Sequence, residues 1–207
     1  MDLPEMLSYC SALEKNNDRA WFHENHDWYE RAWKSFYELL EEMRFVIVGA
    51  APALSDDLMR APVKSWVYRM PRDMRFYKDR PPYEPSFRAY ISRDKKSWLP
   101  IGYFLRLAPG RSCVGTGLWC EDTAATNRVR DYIAENHLEL RRLLDTGGLD
   151  IGGRSLKRAP RGYDEDHPAI DLIRLKNWEM LTPIPDSTAA DEEKLLDAVA
   201  DTVARCE

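Results

Sequence analysis

The chain has 207 residues, of which 44% are hydrophobic, 11% aromatic and 31% charged, and its formal net charge is −5. That apolar share can offset the chain entropy lost on folding, which excludes a wholly disordered chain, and the longest apolar stretch, Met43 to Leu54, is broken by Arg44, Gly49 and Pro52, too short for the roughly 20 residues of a membrane span. The acidic total argues against a general nucleic-acid binder, but eleven Lys/Arg stand against four Asp/Glu between Arg60 and Lys96, and Arg154 to Arg161 adds four positive charges with no acid.

In chain order, Leu3, Met6, Leu7, Cys10 and Leu13 recur at helical spacing behind a candidate Asp2 cap. After Asn16 and Asn17, the positions Tyr29, Ala32, Trp33, Phe36, Leu40, Met43 and Ile47 define a long amphipathic helix that Gly49 and Pro52 end. Four runs rich in β-branched and aromatic residues follow as strands: Ser65 to Met70, Phe87 to Ser92, Gly102 to Leu107 and Ser112 to Leu118. Pro109 and Gly110 predict a tight turn joining the last two into an antiparallel hairpin.

Helical spacing returns over Asp122 to Asn136 and Leu138 to Leu144, with Val129, Ile133, Leu140 and Leu143 as buried positions and Gly147-Gly148 as the stop. Gly152-Gly153 predicts a hairpin within Leu149 to Lys157. A short helix over Pro168 to Leu175, a strand over Trp178 to Leu181 and a final amphipathic helix carrying Leu195, Leu196, Val199 and Val203 complete the chain. The elements do not alternate as βαβ units, so the fold class expected is α+β: a single domain with a mainly antiparallel sheet packed by helices.

The run Arg69-Met-Pro-Arg-Asp-Met-Arg-Phe-Tyr-Lys-Asp-Arg-Pro-Pro-Tyr83 resembles the central signature of the domain of unknown function 2461 family. Lys15-Asn-Asn-Asp-Arg-Ala-Trp-Phe22, Leu107-Ala-Pro-Gly110 with Gly115-Thr-Gly-Leu-Trp119, and Ser155 to Pro168 agree with it in matching order, over roughly residues 3 to 182. The resemblance implies one domain over most of the chain and brings no activity, cofactor or catalytic residue. The chain departs from the family pattern after Lys78-Asp79. Where the family more often has Lys-Thr-Pro-Tyr-Lys, it reads Arg80-Pro-Pro-Tyr-Glu84, a charge reversal at the last position.

Pro71, Pro81, Pro82 and Pro85 exclude a regular helix or a central strand between Met70 and Phe87, and long ordered loops in compact domains are more often functional than incidental. This loop holds Arg69, Arg72, Asp73, Arg75, Lys78, Asp79, Arg80 and Tyr83. If it is extended, Asp73, Arg75, Tyr77 and Asp79 share one face and Arg72, Met74, Phe76 and Lys78 the other. Arginine forks match phosphate or carboxylate oxygens, and an interleaved aspartate can orient a guanidinium, hold a metal or act as a base. An anion pocket and an internal ion-pair lattice account for the same residues equally well.

Arg154, Lys157, Arg158 and Arg161 either complete that pocket or form a solvated face, the latter favoured. Asp164, Asp166 and His167 are ligand types suited to a divalent ion, although their position before Pro168 suits a helix cap better. Gly115 and Gly117 lack the third glycine of a dinucleotide fingerprint and fit a bulge or close backbone approach beside Trp119. No G-x-S-x-G, H-E-x-x-H or P-loop occurs, so no cofactor is named.

The scattered Cys10, Cys113, Cys120 and Cys206 and the absence of an apolar leader segment suggest reduced thiols and a cytoplasmic chain. The functional expectation is a small phosphate- or carboxylate-bearing ligand bound by Arg69, Arg72, Arg75, Lys78, Tyr83, Trp119, Arg158 and Arg161. Asp73 or Asp79 would be the acid–base or metal-binding group of any enzyme. The alternative is an interaction module that docks on an acidic protein or nucleic acid, recognisable by steep salt dependence.

Overall fold

A computed structural model describes residues 1–76, 78–92, 102–120 and 122–207. The chain opens with helices α1 (Leu3–Lys15), α2 (Arg19–Glu24) and α3 (His26–Ala50), followed by α4 (Ser55–Arg60). The Asp2 carboxylate accepts the Glu5 N–H at 2.8 Å and the Asp18 carboxylate accepts that of Trp21 at 2.9 Å, so both of the first two helices start on an aspartate cap. Along α3, Ala32, Trp33, Phe36, Leu39, Leu40, Met43 and Ile47 form one buried stripe, and the helix stops just before Pro52.

Strands β1 (Val67–Tyr68), β2 (Phe87–Ser92), β3 (Gly102–Leu107), β4 (Cys113–Leu118) and β5 (Trp178–Pro183) form one antiparallel sheet in sequential order. The Arg111 N–H to Ala108 carbonyl bond, 2.9 Å, closes the β3–β4 turn around Pro109 and Gly110 as expected. Phe87, Ala89, Ile91, Tyr103, Leu105, Leu107 and Val114 point to the inner face, where they pack with α1, α3 and α8 (Glu192–Cys206). A short α7 (Asp186–Ala189) leads into α8. The opposite face carries a smaller cluster of Tyr90, Phe104 and Cys113, with Trp119 and Leu181 against it.

The β4–β5 connection holds α5 (Thr123–Gly147) and α6 (Ile170–Ile173), which bury a second core of Ile133, Ala169, Leu172, Ile173, Leu175 and Trp178. Asn136 interrupts α5 with φ −119° and ψ 18°. Its side-chain amide donates to the Tyr132 carbonyl four residues back, competing with the backbone for that acceptor. The break falls where the sequence divides its two helical patterns.

Three expectations need correction. Leu143 is 54% exposed: beyond the Asn136 break Leu140 still packs against the second core, but Leu143 is not part of it. Leu149 to Lys157 is not a hairpin: Gly152 pairs with Glu179 and Ser155 with Leu175, so the segment runs beside the chain entering β5. Gly153 takes φ +145° there, and a side-chain carbon on it would lie 2.0 Å from the Asn177 carbonyl oxygen, so this glycine serves close approach. The expected strand over Ser65 to Met70 shrinks to Val67–Tyr68, preceded by a 3₁₀ turn at Val63–Ser65.

Candidate functional site

The signature loop turns back on itself. At its neck the Glu84 N–H donates to Met70 O and the Arg72 N–H to Pro82 O, both at 2.8 Å, and at its tip the Phe76 N–H donates to Asp73 O at 3.0 Å. The two-faced alternation expected of an extended loop is therefore not formed, and Tyr77 lies outside the described residues, as do Arg93 to Lys96 of the basic window.

The loop's charges are largely turned on one another. Arg72 donates to the carbonyls of Pro81 (2.7 Å) and Tyr83 (2.5 Å) and pairs with Glu84. Burial pushes the Glu84 carboxyl up, but the Arg72 hydrogen bond and the nearby Arg88 and Arg72 charges outweigh it, and the group ends below the usual carboxylate range. Asp73 holds exposed Arg75 at 2.6 Å, and those hydrogen bonds lower the Asp73 carboxyl, the wrong direction for a base poised near neutrality. Tyr83 is a buried clamp, stacked on Phe22 with centroids 4.1 Å apart and tied through its backbone to the Asn17 side chain. Lys78, Asp79 and Arg80 are exposed at the tip, and Arg69 is exposed beside β1.

Beside the loop's neck, the outer face of the sheet opens into a cavity of about 210 Å³ lined by Tyr68, Arg88, Phe104, Arg106, Trp119, Glu179 and Leu181. Its geometry follows from register. Arg88 on β2 lies directly opposite Arg106 on β3, so two guanidinium groups rise from adjacent strands on one face. Tyr68 is opposite Arg88 on the next strand, and the Arg88 guanidinium lies 5.6 Å from its ring centre; Arg106 lies 5.6 Å over Phe104.

Among the described residues both buried arginine Nε atoms have no hydrogen-bond partner and neither guanidinium is ion-paired. Arg88 donates one Nη to the Arg69 carbonyl at 3.3 Å. Burial, and secondarily the charges of Arg106 and Arg72, lower the Arg88 pKa against the pull of Glu84.

Trp119 covers the opposite end. A side-chain carbon on Gly117 would lie 2.7 Å from Trp119 Cη2, so the glycine lets the indole fold back over β4, the close approach expected there. The ring meets Tyr90 edge-on at 5.7 Å and Phe104 at 5.8 Å. Its Nε1–H donates to Glu179 Oε1 at 2.9 Å, and the Asn177 amide donates to the same oxygen. Of the residues expected to bind a ligand, Trp119 lines this cavity. Arg72, Arg75, Arg158 and Arg161 do not, and Arg158 and Arg161 are exposed on the segment before α6.

His167 Nδ1 accepts the Ala169 N–H at 3.0 Å, so the histidine, and not an acid, caps this turn, while Asp164 and Asp166 are exposed. Among the described residues no three His, Cys, Asp or Glu side chains converge as a metal site would require. A larger groove of about 720 Å³ along α3 mixes Glu30, Glu38 and Glu41 with Lys34, Lys64 and Arg69, so it sets up no field of one sign. No described helix is long and apolar enough to cross a membrane.

Arg88 and Arg106 are legible in the sequence only as single charges inside apolar strands. The available signal is alternation, which puts Arg88 of Phe87–Ser92 and Arg106 of Gly102–Leu107 on the face opposite the core. No curated protein and no solved structure matches the chain. The family model described as "Conserved hypothetical protein (DUF2461)" matches residues 5–207, and the chain belongs to that family.

Proposed function

We propose that the protein binds a small phosphate- or carboxylate-bearing ligand in the outer-sheet cavity, with Arg88 and Arg106 as the anion-binding pair and Trp119 as an aromatic wall. The observation that carries this reading is the cross-strand placement of two arginines free of ion pairing with any described residue. Like charges directly opposite on a sheet destabilise it, and the cost is offset when an anion bridges the two forks. The volume, about 210 Å³, falls below the roughly 300–1,000 Å³ of sites for drug-sized ligands, which favours a small organic acid or phosphate ester over a nucleotide.

A thermal-shift screen of phosphorylated and carboxylated metabolites tests the proposal. A ligand at about one hundred times its Kd stabilises the fold by about 2.7 kcal/mol, or about 5–10 °C for a chain of this length. Arg106→Ala and Arg88→Ala should abolish the shift, and Arg75→Ala should leave it. Loss with Arg75→Ala but not Arg106→Ala would move the ligand to the loop.

A second reading concerns the loop tip, where Phe76 is 78% exposed with the Arg75 guanidinium 5.7 Å from its ring centre. An exposed aromatic among Arg75, Lys78 and Arg80 suits docking on an acidic partner. Such binding would weaken steeply with salt and be lost in Phe76→Ala, while the anion-induced melting shift remained.

A further inference from the structure

The anion-binding cavity also holds a carboxylate. Glu179 is half-buried in its lining, yet it belongs to a different row of the sheet from the arginines. Arg88, Arg106, Cys113 and Pro183 are successive register partners across β2 to β5; Tyr90, Phe104, Gly115 and Leu181 make the next row, and Gly117 with Glu179 the one beyond. Two residues of strand separate neighbouring rows, so Arg106 and Glu179 stand two rows apart, roughly 13 Å along the strand direction at the backbone. Their side chains line one cavity across an apolar floor of Phe104 and Leu181.

Glu179 is held in place by the construction around it. Its backbone N–H and C=O both pair with Gly152, at 2.9 and 2.7 Å. Its Oε1 accepts from both Trp119 Nε1 and the Asn177 amide, whose own oxygen takes the Arg154 N–H. These bonds fix one carboxylate oxygen and leave Oε2 as an acceptor. A dianion filling the cavity would meet this negative charge, whereas two cations at one end and one anion at the other match a ligand with the reverse polarity.

Resting on the reading of the arginine pair as an anion site, we propose that the ligand is a short zwitterion. Its carboxylate or phosphate lies between Arg88 and Arg106, its short apolar chain on Phe104 and Leu181, and its terminal primary ammonium on Glu179. Glu179 is then the residue that selects amine-bearing anions over plain ones.

The test is calorimetric titration of the intact chain with matched pairs: 4-aminobutyrate against butyrate, 6-aminohexanoate against hexanoate, and 3-aminopropyl phosphate against propyl phosphate. The carboxylates and phosphates separate the two possible head groups. In at least one pair the amine-bearing member should bind at least about tenfold tighter, the scale of one added charge contact. Glu179→Gln keeps an acceptor oxygen for Trp119 and Asn177, so the fold should survive. It should bring the pair to within about twofold, while Arg106→Ala weakens both members. If plain anions bind as well as their amine partners, or Glu179→Gln leaves the gap intact, the zwitterion assignment is overturned and the anion site stands. If no member of any pair binds, or Arg106→Ala changes nothing, the anion site falls with it.

Discussion

Arg88 and Arg106 face each other across β2 and β3 with Nε atoms that are buried and have no hydrogen-bond partner among the described residues, an arrangement that burdens the unliganded fold. If the pair is there for an anion, removing one charge should relieve the burden and remove the function together. Arg106→Met keeps an unbranched apolar stem on Phe104. It should raise unfolding stability by up to about 1 kcal/mol in denaturant titration while abolishing the anion-induced melting shift. A destabilised Arg106→Met protein would mark the pair as structural.

The same residues show what the sequence could and could not convey. Arg72, Asp73 and Arg75 look like a convergent anion pocket because their spacing is dense. Their partners, however, are chosen by a turn at Asp73–Phe76 and by Glu84 at the neck, contacts that linear spacing does not state. Arg88 and Arg106 are eighteen positions apart and become neighbours only through register. The close approach beside Trp119 is legible from Gly115 and Gly117, and it is seen at Gly117.

At the scale of elements, the long helices leave the clearest signal, since a buried stripe on α3 or α8 has a 3.6-residue period that needs no partner to be recognised. The six-residue α2 and α4 are too short to show one and are not expected from the sequence. In the Gly152–Ser155 segment Gly-Gly signals a hairpin from sequence alone, whereas in the fold Gly153 fits against the Asn177 backbone. The signature loop is an element whose neck has a titratable lock. The folded Glu84 pKa lies below its ordinary value of 4.5, so Glu84 contributes stability above that pH, and the contribution is lost as pH falls through the lower folded value. Acidification below about pH 4.5 should therefore release the loop before the core. Glu84→Gln should show the same release at neutral pH, read as faster hydrogen exchange of the Arg72 and Glu84 amides, the two that close the neck. Unchanged exchange of these amides in Glu84→Gln would mean that backbone pairing alone holds the neck.

On the scale of the whole molecule, the sheet is covered by α1, α3 and α8 on one face, and its other face is occupied by the small aromatic cluster and the cavity. The second core, around α5 and α6, connects to this face through β5. Its internal lock is Arg130, only 6% exposed, which donates from Nε to the Ile173 carbonyl at 2.9 Å and from Nη2 to that of Leu175 at 3.0 Å. Trp178 Nε1 adds a bond to the Leu172 carbonyl at 3.0 Å. Arg130→Met preserves the aliphatic stem but leaves two buried carbonyls without their charged donor, a loss of about 2–4 kcal/mol. Because Ile133, Leu172 and Ile173 form a core distinct from that of α1, α3 and α8, the loss should appear as partial opening. Native-state hydrogen exchange should lose protection over α5, α6 and the Gly152–Ser155 segment while the amides of α3, β2 and β3 keep theirs. That segment and Asn177 hold Glu179, so ligand affinity should fall in Arg130→Met although Arg130 is outside the cavity lining. A uniform loss of protection across all helices and strands would instead mean that the two cores unfold as one unit.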